Sequence, residues 1–170
     1  MLLSLSLLFV GAVLVANGLW LSGRISGREV AVINFAAAGV TGLVALLGVI
    51  RATDVDGVRD AALTFLFSVT YLWVGVNRLT DADGRGLGWF SLFVSISVLP
   101  EALQSLVLAT TAMDFWMGLN WLAWSGLWFL SFLTLALGWS LQRLSSHATI
   151  TVGVITAWLP ALVLLYGPAA

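Results

Sequence analysis

Three tryptophans in the second half of the chain have the spacing of one helix face. Trp121, Trp124 and Trp128 stand at positions i, i+3 and i+7, which places their side chains in one stripe along an α-helix. Each flat indole ring carries an N–H group that needs a hydrogen-bond partner when it is buried. Phe67 and Tyr71, at i and i+4, form a second, shorter stripe. From the spacing alone, both plain helix packing and an aromatic-walled passage stay open as interpretations.

A few polar side chains interrupt otherwise apolar stretches. Asn17, Asn34 and Asn77 are expected either to bond a neighbouring helix or to line a polar path. Glu101 directly follows Pro100. A carboxylate inside a membrane is costly and often functional, so Glu101 is a candidate proton site.

The composition excludes most other chemistry. The chain has no cysteine and a single histidine, which leaves too few ligands for a metal site and too few partners for a catalytic triad. No glycine-rich phosphate loop is present, so we expect neither an enzyme nor a cofactor. The net charge of −1 provides no basic surface for nucleic acid.

The elements that carry these residues are predicted to cross a membrane. Of the 170 residues, 61% are hydrophobic and 9% are charged, which is far too apolar for a soluble domain of this length. A crossing helix needs about 20 apolar residues. We therefore predict one all-α membrane domain over residues 1–170, with six spans at about 2–22, 29–50, 61–79, 87–109, 115–139 and 148–167.

The arginines predict how the spans are oriented. The loops after spans one, three and five hold five of the seven, namely Arg24, Arg28, Arg78, Arg85 and Arg143. Because basic loops stay in the cytoplasm, both termini are predicted to lie on the non-cytoplasmic side.

Six strings, one in each span and in the same order, resemble the AmiS/UreI family of bacterial urea channels and short-chain amide transporters. The strings are LFVGAVLVANG, AVINF, TYL, WFSLFV, WLAW and TAWLPA. The resemblance covers nearly the whole chain. It implies a six-helix protomer built from three helical hairpins, each protomer with its own pore, assembled as a homohexamer in the bacterial inner membrane.

The resemblance also turns the aromatic stripes into candidate pore residues. The positions that match the family's pore are Phe67, Tyr71, Trp121, Trp124, Leu127 and Trp128. The implied permeant is urea or a short-chain amide. Ring faces can sandwich such a flat neutral molecule, and ring N–H and O–H groups are expected to replace part of its lost hydration.

Two departures from the family bear on mechanism. Acid-gated members have a longer, histidine-bearing loop between helices two and three, whereas residues 51–60 here contain no histidine, and His147 is predicted on the cytoplasmic side. Gating by protonation of an external histidine is therefore not expected. Glu101 is an extra carboxylate relative to the family. A passive channel is thus our prediction, with a proton-coupled transporter using Glu101, or a structural membrane protein without a pore, as alternatives.

Overall fold

The computed structural model describes residues 2–80 and 82–167, and every regular element in them is a helix. The last helix contains one π-helical turn, Gly153–Trp158. The helices are α1 (Leu2–Leu21), α2 (Gly27–Arg51), α3 (Val55–Leu79), α4 (Arg85–Val107), α5 (Ala112–Leu135) and α6 (Gln142–Tyr166).

All of these helices except α5 are long and apolar enough to cross a membrane, judged by length and composition. The predicted span at 115–139 falls on α5, which has 24 residues but does not meet that criterion. This helix carries four of the nine tryptophans and Asn120. The polar N–H of each indole and the amide lower its mean hydropathy, although Asp114 is its one charged residue.

Two helix starts differ from the prediction because polar residues belong to the helix. Helix α3 begins at Val55, six residues before the predicted 61, because the Asp54 carboxylate accepts a hydrogen bond from Gly57 N at 2.8 Å and caps the helix. Helix α6 begins at Gln142 and not near 148. The Gln142 side chain donates to the carbonyl of Leu21 at 2.9 Å, which ties the start of α6 to the end of α1.

Helix α5 ends earlier than predicted. Its last residue is Leu135, four residues before 139, and Gly138 follows with φ +70°. A side chain is strained in this left-handed conformation, so glycine suits the turn. The chain then reverses direction into α6.

The helices pack most extensively in three pairs, α2 with α3, α4 with α5, and α1 with α6. Two of these pairs are hairpins in chain order, whereas the third joins the first helix to the last. In the α4–α5 pair, Ser95 Oγ donates to the Ser125 carbonyl at 3.0 Å, and Ser125 Oγ donates to the Ser95 carbonyl at 2.9 Å. These reciprocal bonds hold α4 against α5 without leaving a buried hydroxyl unpaired.

Small residues in α2 form a contact within the protomer. Ala38 and Gly42 face Ser68 of α3, whose hydroxyl donates to the Ala38 carbonyl at 2.8 Å. The outer faces of the bundle carry large apolar side chains, such as Val32, Ile96 and Leu103. An apolar exterior of this kind suits contact with lipid and not with water.

Candidate functional site

The two aromatic stripes meet in one cluster, which we call the aromatic cluster. It consists of Phe67, Tyr71, Trp121, Trp124 and Trp128. Phe67 lies at its centre, with ring centroids at 4.7 Å from Trp128, 5.1 Å from Trp124, 6.0 Å from Trp121 and 6.2 Å from Tyr71. Edge-to-face and tilted contacts at these distances are favourable, so the rings support one another between α3 and α5.

The two deepest indoles have hydrogen-bond partners on other helices. Trp124 Nε1 donates to Thr156 Oγ1 at 2.8 Å, and Trp128 Nε1 donates to Thr70 Oγ1 at 3.1 Å. Both threonine hydroxyls donate in turn to a carbonyl of their own helix. The indole N–H groups therefore bond to the protein itself. Our expectation that they would replace the permeant's hydration is not met, and the ring surfaces are what they present.

A cavity of about 140 Å³ leads away from the aromatic cluster. It runs to the end of the bundle where α1, α3 and α5 end and α4 and α6 begin, which we call the arginine-rich end. A space of this size holds a few water molecules or one small planar solute. Its aromatic walls include Trp20, Phe67, Tyr71, Trp124 and Trp128, and its polar lining includes Asn17, Thr70, Asn77, Arg78, Ser91, Ser131, Thr134, Ser145 and Thr149.

Tyr71 offers the one phenol group on this wall. Its ring is buried, and within residues 2–80 and 82–167 its hydroxyl makes no hydrogen bond. By contrast, the hydroxyls of Ser91, Ser131 and Thr134 each donate to a carbonyl in their own helix. The Tyr71 hydroxyl is thus available to a molecule in the cavity, as both donor and acceptor.

Comparison with known proteins identifies the protein family. The sequence model of the family described as AmiS/UreI family transporter matches residues 2–168. The chain belongs to the AmiS/UreI family. Within this family of membrane transporters and channels no enzymatic activity is indicated, and several apolar helices fit a multi-pass membrane protein.

Two individual relatives and one solved structure are similar to nearly the whole chain. A Mycolicibacterium smegmatis protein named as an amidate substrates transporter is 40% identical over 95% of this chain and 75% of its own length. The acid-activated urea channel of Helicobacter pylori is 32% identical over 95% and 96% of the two chains. The crystal structure of the urea channel from that gastric pathogen has a TM-score of 0.84 and 31% identity, and covers 98% of each chain.

Most of the predicted pore residues of this AmiS/UreI member lie on the cavity. Phe67, Tyr71, Trp124, Leu127 and Trp128 line it. Trp121 does not, but its ring lies 5.0 Å from that of Trp124, on the side of the aromatic cluster away from the arginine-rich end.

The three asparagines between them take both expected roles, contact with a neighbouring helix and lining of the cavity. Asn17 and Asn34 form a reciprocal pair across α1 and α2, with Nδ2 to Oδ1 distances of 3.2 and 2.7 Å. Asn34 also donates to the Val30 carbonyl. Asn77 lines the cavity, and its Nδ2 atom is buried without a partner among the described residues. Asn17 and Asn34 therefore join α1 to α2, and Asn17 lines the cavity as well, whereas Asn77 lines the cavity without a partner.

Breaking the asparagine pair is expected to destabilise the fold. Asn17→Leu leaves the Asn34 carbonyl oxygen unpaired in a fully buried place, which costs about 1–2 kcal/mol. The double variant Asn17→Leu/Asn34→Leu should lose less than the sum of the single variants, because it leaves no orphaned amide. Thermal unfolding of the purified protein in detergent measures both. Strictly additive losses would contradict the paired role.

Glu101 lies outside the cavity, near the opposite end of the bundle. Its Oε2 atom is 2.9 Å from Arg59 Nε, an ion pair without the alignment of a hydrogen bond. Its Oε1 atom accepts a hydrogen bond from Ser105 Oγ at 2.9 Å. Arg59 also meets Asp56 at 3.0 Å. These contacts link the start of α3 to the last turns of α4, and the carboxylate is not part of the cavity lining.

Sequence reasoning missed several residues of the site. Thr156 was not predicted as the partner of Trp124, and the π-helical turn that contains it was not predicted either. The available signal was Pro160, which has no N–H to give to the carbonyl of Thr156, four residues earlier. Arg78 was interpreted only as a loop arginine and Ser145 was not singled out, yet both line the cavity.

Proposed function

We propose that this protein is a passive channel for urea or short-chain aliphatic amides, with a pore through each protomer. The observation that carries the proposal is the cavity that begins at the arginine-rich end and stops at the aromatic cluster. We infer that the cluster, centred on Phe67, is the narrow section of the pore. The relatives named as a urea channel and an amidate transporter support this class of permeant.

The wall suits a flat, neutral, strongly hydrogen-bonding solute. The faces of Phe67, Trp124 and Trp128 would contact the plane of the amide group. The free Tyr71 hydroxyl would replace one of its lost water contacts. Because the N–H groups of Trp124 and Trp128 are already bonded to threonines, few groups are left to bind the solute at the narrow section. Binding there is weak, and weak binding allows the solute to leave.

The same wall would reject ions. Moving an unpaired charge out of water costs far more than moving a neutral amide, and the attraction of a ring face for a cation, about 0.5–2 kcal/mol, does not offset that cost. Arg78, at the mouth of the cavity, would further repel ammonium and other small cations.

The arrangement in the membrane is also part of the proposal. Five of seven arginines belong to the arginine-rich end, so we place this end in the cytoplasm and both termini outside it. The family resemblance supports a homohexamer in the inner membrane, with the apolar exterior of the bundle against lipid or neighbouring protomers.

Stopped-flow uptake into liposomes tests the proposal. Purified protein is reconstituted, and urea and acetamide uptake are compared with uptake into protein-free liposomes at pH 7.4. We expect uptake that is much faster than through lipid, that saturates only at high concentration and that needs no ion gradient. Uptake equal to that of protein-free liposomes, with ordered particles confirmed, would contradict a channel and favour a structural membrane protein.

The flux is expected to differ by less than about twofold between pH 7.4 and pH 5, the interval in which histidine titrates. The connection between α2 and α3 has no histidine, and the Nδ1 atom of His147 lies 2.8 Å from the Arg143 carbonyl in its own helix, away from the aromatic cluster. The same uptake assay at both values checks this. A flux that follows an imposed pH gradient and is lost in Glu101→Gln would instead support proton coupling.

A further inference from the structure

The mouth of the cavity holds a cation without an ion-pair partner. In the part of the chain that the structure describes, the ion pairs involve Arg59 and Arg85, and none involves Arg78. The Arg78 guanidinium carbon lies 4.4 Å from the centroid of the Trp20 ring, and its Nε atom is buried without a hydrogen-bond partner. An aromatic face attracts a guanidinium group but leaves its N–H donors unused.

Two more polar groups without partners lie on the same cavity. Asn77 is 5% exposed and Ser145 is 8% exposed, and both line the cavity with Arg78. Asn77 Nδ2 and Ser145 Oγ are buried and make no hydrogen bond within residues 2–80 and 82–167. Buried polar groups are normally satisfied, so unpaired donors grouped around a cavity indicate a ligand that accepts hydrogen bonds.

The charge of the residues that line the cavity indicates which kind of hydrogen-bond-accepting ligand fits. Arg78 is the one charged residue among the described residues that line the cavity, and no aspartate or glutamate accompanies it. A half-buried cation on a cavity whose described lining has unpaired polar groups and no carboxylate favours a negatively charged, acceptor-only ligand. The cavity volume of about 140 Å³ limits that ligand to a small one.

We propose that Arg78, Asn77 and Ser145 form a binding site for a short-chain carboxylate, such as acetate, at the arginine-rich end of the pore. The inference rests on the proposed function, because it concerns the same pore. A short carboxylate is planar and nearly identical in size to the primary amide with the same carbon chain. The guanidinium group of Arg78 can donate two parallel hydrogen bonds to the carboxylate oxygens while its face stays on the Trp20 ring.

The site would link transport to the reaction that consumes the permeant. Hydrolysis of a primary amide by water gives the corresponding carboxylate and ammonium. When that carboxylate accumulates in the cytoplasm, it would occupy the mouth of the pore and slow further entry of the amide. The aromatic cluster would still stop the anion from crossing, because no donor or cation replaces its hydration there.

Calorimetric titration of the purified protein in detergent with sodium acetate at pH 7.4 tests the site directly. We expect saturable binding that Arg78→Gln weakens by about tenfold or more, the usual effect of losing a charge-assisted bond. Arg85→Gln is the matched control, because Arg85 belongs to the same end of the bundle, is 71% exposed and pairs with Asp83. This variant should bind acetate as the wild type does.

Two further variants keep the test decisive if Arg78→Gln fails to fold. Arg78→Lys keeps the charge but loses the fork, and Asn77→Ala removes one donor; each should weaken acetate binding by about threefold to tenfold. Thermal unfolding of every variant identifies those that are folded. Acetate binding that is absent in the wild type, or unchanged in all folded variants, would overturn the proposal.

Flux measurements separate this inference from the proposed function. Acetate is equilibrated across the liposome membrane, and acetamide uptake is compared with uptake in sodium chloride of equal ionic strength. Inhibition in the wild type that is weaker in Arg78→Gln supports the site. Acetamide uptake without acetate binding or inhibition would overturn the site but leave the channel. Acetate binding without any uptake would overturn the channel but leave the site.

Discussion

Replacing Trp124 by alanine is expected to raise the ratio of butyramide to urea uptake by about tenfold, the scale on which an apolar wall discriminates small differences in solute size. Trp124 is 4% exposed and packs edge-on against both Phe67 and Trp121, at centroid distances of 5.1 and 5.0 Å. Removing its ring widens the aromatic cluster where the cavity stops. Competitive uptake of the two solutes into the same liposomes measures the ratio.

A conservative variant separates pore width from fold stability. Trp124→Ala removes a buried ring, which costs about 3–5 kcal/mol and threatens folding. Trp124→Phe retains a smaller ring, so it loses the hydrogen bond to Thr156 Oγ1, about 1 kcal/mol, and only part of the buried ring surface. Its butyramide to urea ratio should rise by a smaller factor than in Trp124→Ala, with the thermal midpoint close to that of the wild type.

Trp139 provides the matched control for the loss of a tryptophan. It is 55% exposed and follows the end of α5, outside the cavity lining. Trp139→Ala should leave the solute ratio unchanged. If Trp124→Ala is folded and has the wild-type ratio, the aromatic cluster is not the narrow section of the path.

The helical period was sufficient to group the aromatic residues but not to find their partners. The i, i+3, i+7 spacing placed Trp124 and Trp128 on one face, and burial implied that each indole N–H needs an acceptor. The acceptors belong to Thr156 and Thr70, 32 and 58 residues away along the chain. Which helix faces which depends on how each helix is rotated in the bundle, and the period of a single helix does not contain that information.

The arginines predicted an orientation for the spans but gave no signal for the residues that line the cavity. Arg78 counted as one basic residue at a span end, as it would under any rotation of α3. Its position on the cavity follows from the contact with Trp20, at the end of another helix. Glu101 shows the reverse: its isolation in an apolar stretch suggested a proton site, and its partner Arg59 lies in the first turns of a different helix. In both cases the surroundings of the side chain come from a segment distant in the chain, which the local sequence pattern does not contain.

Gly11→Ala is expected to destabilise the protein by about 1–3 kcal/mol, although alanine is the better helix former. An added Cβ at Gly11 would lie 2.8 Å from the backbone nitrogen of Trp158 and 2.9 Å from its Cβ atom. Backbone atoms cannot move aside as a flexible side chain can, so α1 and α6 would have to separate. Thermal unfolding in detergent measures the loss.

A second glycine in the chain gives the control for this prediction. Gly126, inside α5, has nothing within 4 Å of its added Cβ, so Gly126→Ala should be neutral or stabilising by up to about 1 kcal/mol. Equal effects of Gly11→Ala and Gly126→Ala would show that close contact between α1 and α6 is not required.

The close contact between α1 and α6 also affects the position of the aromatic cluster. Gly153, at the start of the π-helical turn, faces α1 from the other side, and its added Cβ would lie 2.7 Å from Leu14 Cβ. Gly11→Ala or Gly153→Ala should shift the turn that holds Thr156 against Trp124. Solute selectivity should therefore change together with stability. Because separating the helices once relieves both clashes, Gly11→Ala/Gly153→Ala should cost less than the sum of the single variants. Additive losses with unchanged selectivity would mean that the turn does not position the aromatic cluster.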